Sequence, residues 1–220
     1  MAVNTLADMQ ANIIDWVART DLTTAVVNNF IDLAESEIVN GVYGVDGKVI
    51  VPPLRVKSME IRDDTFVLDG EFTELPTGFL GFKSLKKVGD PDTVLDFVTE
   101  EVFNATWLST GSTTTPRAYT IIGNEIRVGP GAAAADVLDV VYYKQPDNLV
   151  GVGSNWICTR YPNTYLYGAL RHLAVYCGMD GRLSFFQSAF IGTLMSLHAA
   201  EKSTAFSGQL VMRTLGVTHT

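Results

Sequence analysis

The fold is decided by residues 155–201, the stretch NWICTRYPNTYLYGALRHLAVYCGMDGRLSFFQSAFIGTLMSLHAAE. Pro162 suits the first turn of a helix, where its missing N–H costs nothing. Apolar residues then recur every three or four positions, from Tyr165 to Tyr176 and again from Leu183 to Leu197, which predicts two amphipathic helices. The turn at residues 178–181 is short and Gly-rich, so the two helices are expected to form an antiparallel hairpin.

A second helical hairpin is predicted at the other end of the sequence. Residues 5–19 have apolar side chains at helical spacing, and Asp21 suits the N-cap of a helix that Gly41 ends. Glu35 and Glu37 lie near the end of that helix, where the dipole disfavours carboxylates, so we expect them to face solvent or a partner. The two hairpins are expected to pack as one bundle. Six of its side chains are expected to be buried: Trp16, Phe30, Leu170, Leu173, Phe186 and Phe190.

Between the hairpins the apolar spacing falls towards two, which is typical of β-strands. Short strands are predicted in RVKSMEI, TFVLDG, FLGFKSLKKV, TVLDFV and VLDVVYYKQ, and residues 41–53 are expected to be a loop with one strand. The clearest hairpin is RAYTIIGNEIRVGP, in which Gly123 followed by Asn124 suits a type II′ turn. Thr99 with the two acids after it indicates a brief helix.

These patterns predict an α+β protein with three parts. A helical bundle is formed by residues 1–41 and 155–202, and residues 42–154 form an inserted β-rich subdomain. Residues 203–220 lack a helical face, and their apolar side chains have too few neighbours for a core, so we expect an extended C-terminal arm. Its candidate partner-binding residues are Phe206, Leu210, Val211, Arg213 and Leu215.

Composition excludes several classes of protein. A hydrophobic content of 47% in 220 residues excludes a mainly disordered chain. A balance of 16 basic to 24 acidic residues, net −8, argues against binding nucleic acid by neutralising phosphates. The local basic cluster consists of Lys83, Lys86 and Lys87. No apolar run approaches the ~18 residues of a membrane span, and without a secretory signal Cys158 and Cys177 are expected as free, half-buried thiols.

The sequence shows no pattern that is specific to a reaction centre. His172 and Cys177 are five residues apart, so they do not share a helix face as a metal-binding pair would. The adjacent acids at 63–64 and 100–101 have the residue type of a glycosidase pair, but such acids are ordinary in turns and at helix starts. We therefore expect no catalytic residue, metal or cofactor.

Several segments match the pattern of one family, in order. IIDWVARTDLTTAVVNNFIDLAESEI combines a Trp, an R-x-D-L turn and an F-I-x-L-A-E stretch; ELPTGFLGFKSL contains L-P-x-x-F-L; TPRAYTIIGNEIRVGP contains P-R-x-Y-x-x-x-G-x-x-I; and VLDVVYYKQPDNL has a Y-Y strand. Together with the 155–190 run they resemble the head-to-tail adaptor (connector) family of tailed bacteriophages, of the podophage type, from about Leu6 to Ala200. Gly178 and Gly181 depart from the family, where more helix-favouring residues are common.

The resemblance implies a structural protein of the virion neck, made in the host cytoplasm. Such adaptors assemble as a dodecameric ring under the portal protein, extend the DNA channel and dock the tail nozzle or tube. Genomic DNA would pass without specific binding. We therefore expect an acidic or neutral channel surface, with the basic cluster of Lys83, Lys86 and Lys87 away from the bore. In related adaptors the C-terminal segment reaches towards the portal. Two alternatives stay open at this point, a virion-associated hydrolase and a monomeric intracellular binding domain.

Overall fold

The computed structural model describes residues 4–19, 21–89, 92–107 and 115–205. These residues form seven α-helices and ten β-strands, which confirms the predicted α+β class. The chain divides into two compact units, a first unit of residues 1–58 and 146–220 and a second unit of residues 59–145. The single bundle, the inserted subdomain and their boundaries at 1–41, 42–154, 155–202 and 203–220 stay predictions.

The helices and strands have the following bounds. The helices are α1 (Leu6–Val17), α2 (Thr24–Asn40), α3 (Glu100–Trp107), α4 (Leu149–Val152), α5 (Trp156–Arg160), α6 (Pro162–Tyr176) and α7 (Asp180–Ala205). The strands are β1 (Val42–Tyr43), β2 (Val49–Val51), β3 (Glu60–Val67), β4 (Phe72–Glu74), β5 (Phe79–Lys87), β6 (Thr93–Val94), β7 (Asp96–Phe97), β8 (Ala118–Ile122), β9 (Glu125–Gly129) and β10 (Val137–Lys144). A short 3-10 helix, Lys57–Met59, replaces the start of the strand predicted in RVKSMEI.

Helix α6 is the centre of the first unit, where it contacts α1, α2, α5 and α7. Pro162 is in its first turn, as predicted. Gly168 is the residue that lets the helices approach, because a Cβ there would lie 2.8 Å from the Ala34 Cβ and 3.0 Å from the Phe190 Cε2. Helices α2 and α7 therefore both meet α6 at a position that only a residue without a side chain fits.

Four of the six predicted core residues are buried, namely Leu170, Leu173, Phe186 and Phe190. The prediction is wrong for Trp16, which is 41% exposed. Its ring lies in the last turn of α1 and packs edge-on against Tyr167 and Phe186, leaving its other side to solvent. Phe30 is half-buried and stacks on the His172 ring at 6.4 Å. Helical spacing thus identifies the inward face but not how far its margin is covered.

The N-cap of α2 differs from the prediction. Thr23 caps the helix, because its hydroxyl accepts the backbone N–H of Val26. The Asp21 carboxylate is instead held by the Arg19 guanidinium through two hydrogen bonds of 2.8 and 2.5 Å. Gly41 ends the helix as predicted. Asp21 thus forms a charge-assisted pair with Arg19 instead of capping α2.

Residues 41–53 form a hairpin and not the predicted loop with one strand. Strand β2 turns back on β1 in an antiparallel pair, Val42 with Val51 and Tyr43 with Val49. The turn is closed by a 2.7 Å hydrogen bond from the Gly44 N–H to the Lys48 carbonyl. Alternation in VYGVDGKVIV is too short to mark two strands before their pairing is known.

The second unit contains two four-stranded sheets, ordered β3-β10-β5-β6 and β4-β9-β8-β7. Their buried residues form one core: Leu68, Leu75, Leu85, Leu95, Ile126, Val128, Leu138, Val140 and Tyr142. The predicted β8–β9 hairpin is confirmed, with Gly123 at φ 64°. TVLDFV is not one strand, because it divides at buried Leu95 and passes from one sheet, as β6, to the other, as β7.

Candidate interaction surfaces

The predicted partner-binding residues Phe206, Leu210, Val211, Arg213 and Leu215 lie outside the described residues. The described chain ends in α7, which continues three residues beyond the predicted limit at Lys202. Ser203 and Thr204 satisfy their hydroxyls inside this helix, donating to the carbonyls of Ala200 and Glu201 at 2.7 Å each. The polar residues at the end of α7, where the apolar spacing no longer continues, thus satisfy their hydroxyls locally.

The last turns of α7 are anchored by a buried carboxylate, Glu201, which is 2% exposed. It accepts hydrogen bonds from the Ser58 hydroxyl at 2.6 Å and the Tyr161 hydroxyl at 3.1 Å. The Arg160 guanidinium lies 3.5 Å from the carboxylate and also donates to the Ser58 hydroxyl. Burial, and then the Glu201 hydrogen bond, raise the pKa of Tyr161. The end of α7 is therefore fixed to the α5–α6 junction and to residue 58.

Glu35 forms a second buried anchor, contrary to the expectation that it faces solvent or a partner. It is 3% exposed and accepts the Leu149 N–H at 2.9 Å and the Tyr165 hydroxyl at 3.0 Å. Asn155 donates to the same Tyr165 oxygen at 2.8 Å. Burial raises the pKa of Glu35, although the bonds from Leu149 and Tyr165 oppose it. The carboxyl satisfies the start of α4 and joins it to α2 and α6.

Glu37 is half-buried, and its described partners belong to the same chain. It pairs with the Arg171 guanidinium and lies 3.4 Å from His172 Nε2. Arg171 also donates to Gln187 at 3.0 Å and lies over the Phe190 ring. Burial acts to raise the pKa of Glu37, but hydrogen bonds from His172 and Arg171 outweigh it and hold that pKa below its ordinary value.

Each lysine of the cluster in the second unit lies close to an acid on β3, on β10 or directly before β10. Lys83 donates to Glu60 at 2.7 Å and Lys87 to Asp136 at 2.8 Å. Lys86 lies opposite Asp139 in the strand register. The cluster is therefore not an uncompensated basic patch of the kind that binds phosphate backbones.

The negative charge of the protein is concentrated in the second unit. Residues 59–145 hold 14 acidic and 7 basic side chains, net −7, whereas the rest of the chain holds 10 and 9, net −1. Besides the paired lysines, Arg62 is bound by Asp139 at 3.0 Å and Arg127 by Glu71. The electrostatic field around the second unit is therefore negative, because its carboxylates outnumber its cationic groups.

The two acidic pairs that were considered as candidate glycosidase residues lie on different secondary-structure elements. Asp63 and Asp64 lie on β3, where the Asp63 carboxylate accepts both the N–H and the hydroxyl of Thr65. The pair at 100–101 forms the first turn of α3. Within the described ranges no three His, Cys, Asp or Glu side chains gather to hold a metal ion. Cys158 and Cys177 are free, and Cys158 is fully buried, not half-buried as expected.

Two apolar surfaces of the first unit are exposed. The hairpin surface consists of Tyr43, Val45, Val49 and Ile50 on β1, β2 and their turn, with Val45 at the tip 112% exposed. The aromatic surface consists of Trp16, Tyr167 and Phe185, which pack around the buried Phe186 ring at centroid distances of 5.6–6.3 Å. Phe185 is 56% exposed. The hairpin surface was not predicted, because the alternation in VYGVDGKVIV is too short to reveal that β1 and β2 pair.

A shallow open pocket of about 360 Å³ adjoins the aromatic surface. The end of α1 and the α6–α7 turn form it: Val17, Ala18, Gly178, Met179, Asp180, Gly181 and Arg182. Asp180 and Arg182 are exposed at its rim. Its lining combines small and apolar residues with one acid and one base.

Comparison with protein families gives one match. The model of the family described as SU10 adaptor protein matches residues 4–213. The chain has no match among curated proteins. None of the described helices combines the length and the apolar composition needed to cross a membrane.

Proposed function

The chain belongs to the SU10 adaptor protein family, and from this premise we propose that it is a head-to-tail adaptor of the podophage type. The family makes it a structural component of a bacteriophage virion. In the proposed role, twelve copies form a ring under the portal in the virion neck, extend the DNA channel and dock the tail nozzle or tube. The family match over residues 4–213 carries the proposal.

Passage of DNA without specific binding is supported by the charge distribution. The second unit has net −7, and the lysines of its basic cluster have acidic neighbours. Carboxylates repel the phosphate backbone, and few cations are left to release its counterions. We propose that the channel surface of the ring is acidic or neutral, so that the genome slides past it.

We propose residues 206–220 as the arm that docks on the portal. Leu210, Val211 and Leu215 are the candidate apolar anchors, with Phe206 beside them, and Arg213 is the candidate partner of a portal carboxylate. The Glu201 anchor supports this role, because it fixes the end of α7 and hence the point from which the segment departs. Fixing that point reduces the conformational entropy that is lost on binding.

Native mass spectrometry of the chain, alone and mixed with portal rings, tests the proposal. A gain of twelve chains of 24.0 kDa per portal ring is expected, and a variant ending at Ala205 should give no gain. A chain that stays monomeric beside intact portal rings would contradict the proposal and favour an intracellular binding domain. Glycan cleavage by the purified chain would favour the virion-associated hydrolase.

A further inference from the structure

A closed ring of identical copies requires a head-to-tail contact between two different surfaces of each copy. The two surfaces must be complementary and must not meet within one chain. The first unit has two candidates, the hairpin surface and the pocket beside the aromatic surface.

The hairpin tip has the properties of a projecting anchor. Val45 is fully exposed, with Tyr43 and Val49 more than half exposed beside it. A two-stranded hairpin is at best marginally stable in water on its own. Contact with another surface would bury its apolar side chains and hold the two strands together.

The pocket cannot receive the tip of its own chain. The base of the hairpin is held on α7, because strand β2 packs directly against that helix. Arg182 at the pocket rim precedes His198 by 16 residues on the same helix, which is about 24 Å along the axis. The two surfaces thus lie towards opposite ends of α7, as a head-to-tail contact needs.

Charges at the two surfaces are complementary. The tip carries Asp46 and Lys48, an exposed pair 3.0 Å apart, and the pocket rim carries Asp180 and Arg182. Neither Asp180 nor Arg182 forms an ion pair within the part of the chain that the structure describes. Each set is one acid and one base two residues apart, so Lys48 can meet Asp180, and Asp46 can meet Arg182, of the next copy.

We infer that neighbouring copies in the ring are joined by the β1–β2 hairpin tip of one copy seated in the α1/α6–α7 pocket of the next. This inference rests on the proposed ring function and identifies the two surfaces through which neighbouring copies would bind. Val45 enters the pocket, the Tyr43 side lies against the aromatic surface, and the two charge pairs exchange partners. A few anchored side chains of this kind carry most of the binding free energy of an interface.

Cysteine cross-linking tests the contact in the full chain, with Cys177 replaced by Ser so that no native thiol borders the pocket. Three variants are compared under mild oxidation, free at high concentration and with portal rings: Val45→Cys, Met179→Cys and the double variant. The double variant should give a ladder of linked multimers. Each single variant should stay unlinked, and an equimolar mixture of the two should stop at the dimer, because each pair has one matched contact.

Absence of a ladder under both conditions would overturn the inference, as would linked dimers from Val45→Cys alone, which report hairpin-to-hairpin contact. A charge exchange gives a second readout. Lys48→Glu or Asp180→Lys alone should reduce the ladder at least several-fold, and the two together should restore it; no loss in either single variant would contradict the assigned register. If the wild-type chain gains ring mass on portals while the ladder is absent, the contact is wrong and the adaptor function stands. If the ladder forms while the wild-type chain gains no mass on portals, the contact stands and the adaptor function is wrong.

Discussion

Replacing Gly168 by Ala tests the packing on which the first unit depends. The added methyl group would lie 2.8 Å from the Ala34 Cβ and 3.0 Å from the Phe190 ring. The Phe190 ring can tilt, but the Ala34 Cβ is bonded directly to the backbone of α2, so that α2 itself must shift. Well-packed interiors resist such shifts because they hold few voids.

The expected magnitude follows from two opposing effects. Overpacking costs about 1–3 kcal/mol, while exchanging Gly for Ala inside a helix contributes about 1 kcal/mol of stability. The net expectation is a loss of up to about 2 kcal/mol, which corresponds to a fall in Tm of up to about 8 °C. Gly192 on α7 is the matched control, because a Cβ there meets no heavy atom within 4 Å. Gly192→Ala should leave Tm unchanged or raise it.

Thermal unfolding followed by tryptophan fluorescence is a suitable assay, since Trp16 and Trp156 both belong to the first unit. Adding Ala34→Gly to Gly168→Ala removes the closest contact, so the double-mutant cycle should show favourable coupling. If Gly168→Ala proved as stable as Gly192→Ala, the close approach of α2 and α6 would be refuted.

Four further predictions concern the anchors, the arm and DNA. Burial raises the pKa of Glu35 above 4.5, so its contribution to stability is complete below that pH and is lost as pH rises through the folded pKa. Glu35→Gln should therefore flatten the pH dependence of the urea unfolding free energy above pH 4.5. An unchanged pH dependence would contradict the raised pKa. Glu201→Ala leaves two hydroxyls without their acceptor and should cost about 1–3 kcal/mol, with loss of hydrogen-exchange protection in the last turns of α7; the exposed neighbour change Lys202→Ala should not. Ending the chain at Ala205 should leave Tm unchanged and abolish portal binding, and portal rings that still bind the shortened chain would rule out the arm. Duplex DNA should show no salt-sensitive micromolar binding to the isolated chain, and such binding in a titration would refute the repelling surface.

The elements with a local cause are the ones that the sequence predicted. Pro162 and the apolar spacing after it marked α6, and Gly123 marked the β8–β9 turn, because helix starts and tight turns depend on the residues within them. The division of TVLDFV between two sheets has no local cause. It depends on which strands β6 and β7 find as neighbours.

The buried anchors were not predictable, since their partners are distant in sequence. Glu35 meets Leu149 across 114 residues, and Glu201 meets Ser58 across 143. The helix dipole disfavours a carboxylate near the C-terminal end of a helix. For Glu35, hydrogen-bond donors on α4 and α6 compensate for this and for its burial. For the same reason the pocket at the α6–α7 turn became visible only when α1 was placed beside it.

A reconstruction of the virion neck tests the adaptor role most directly. The proposal predicts twelve copies of this chain in one closed ring immediately under the portal, around the DNA channel and in contact with the tail. Finding the chain elsewhere in the particle, or finding the portal joined to the tail without it, would contradict the proposal.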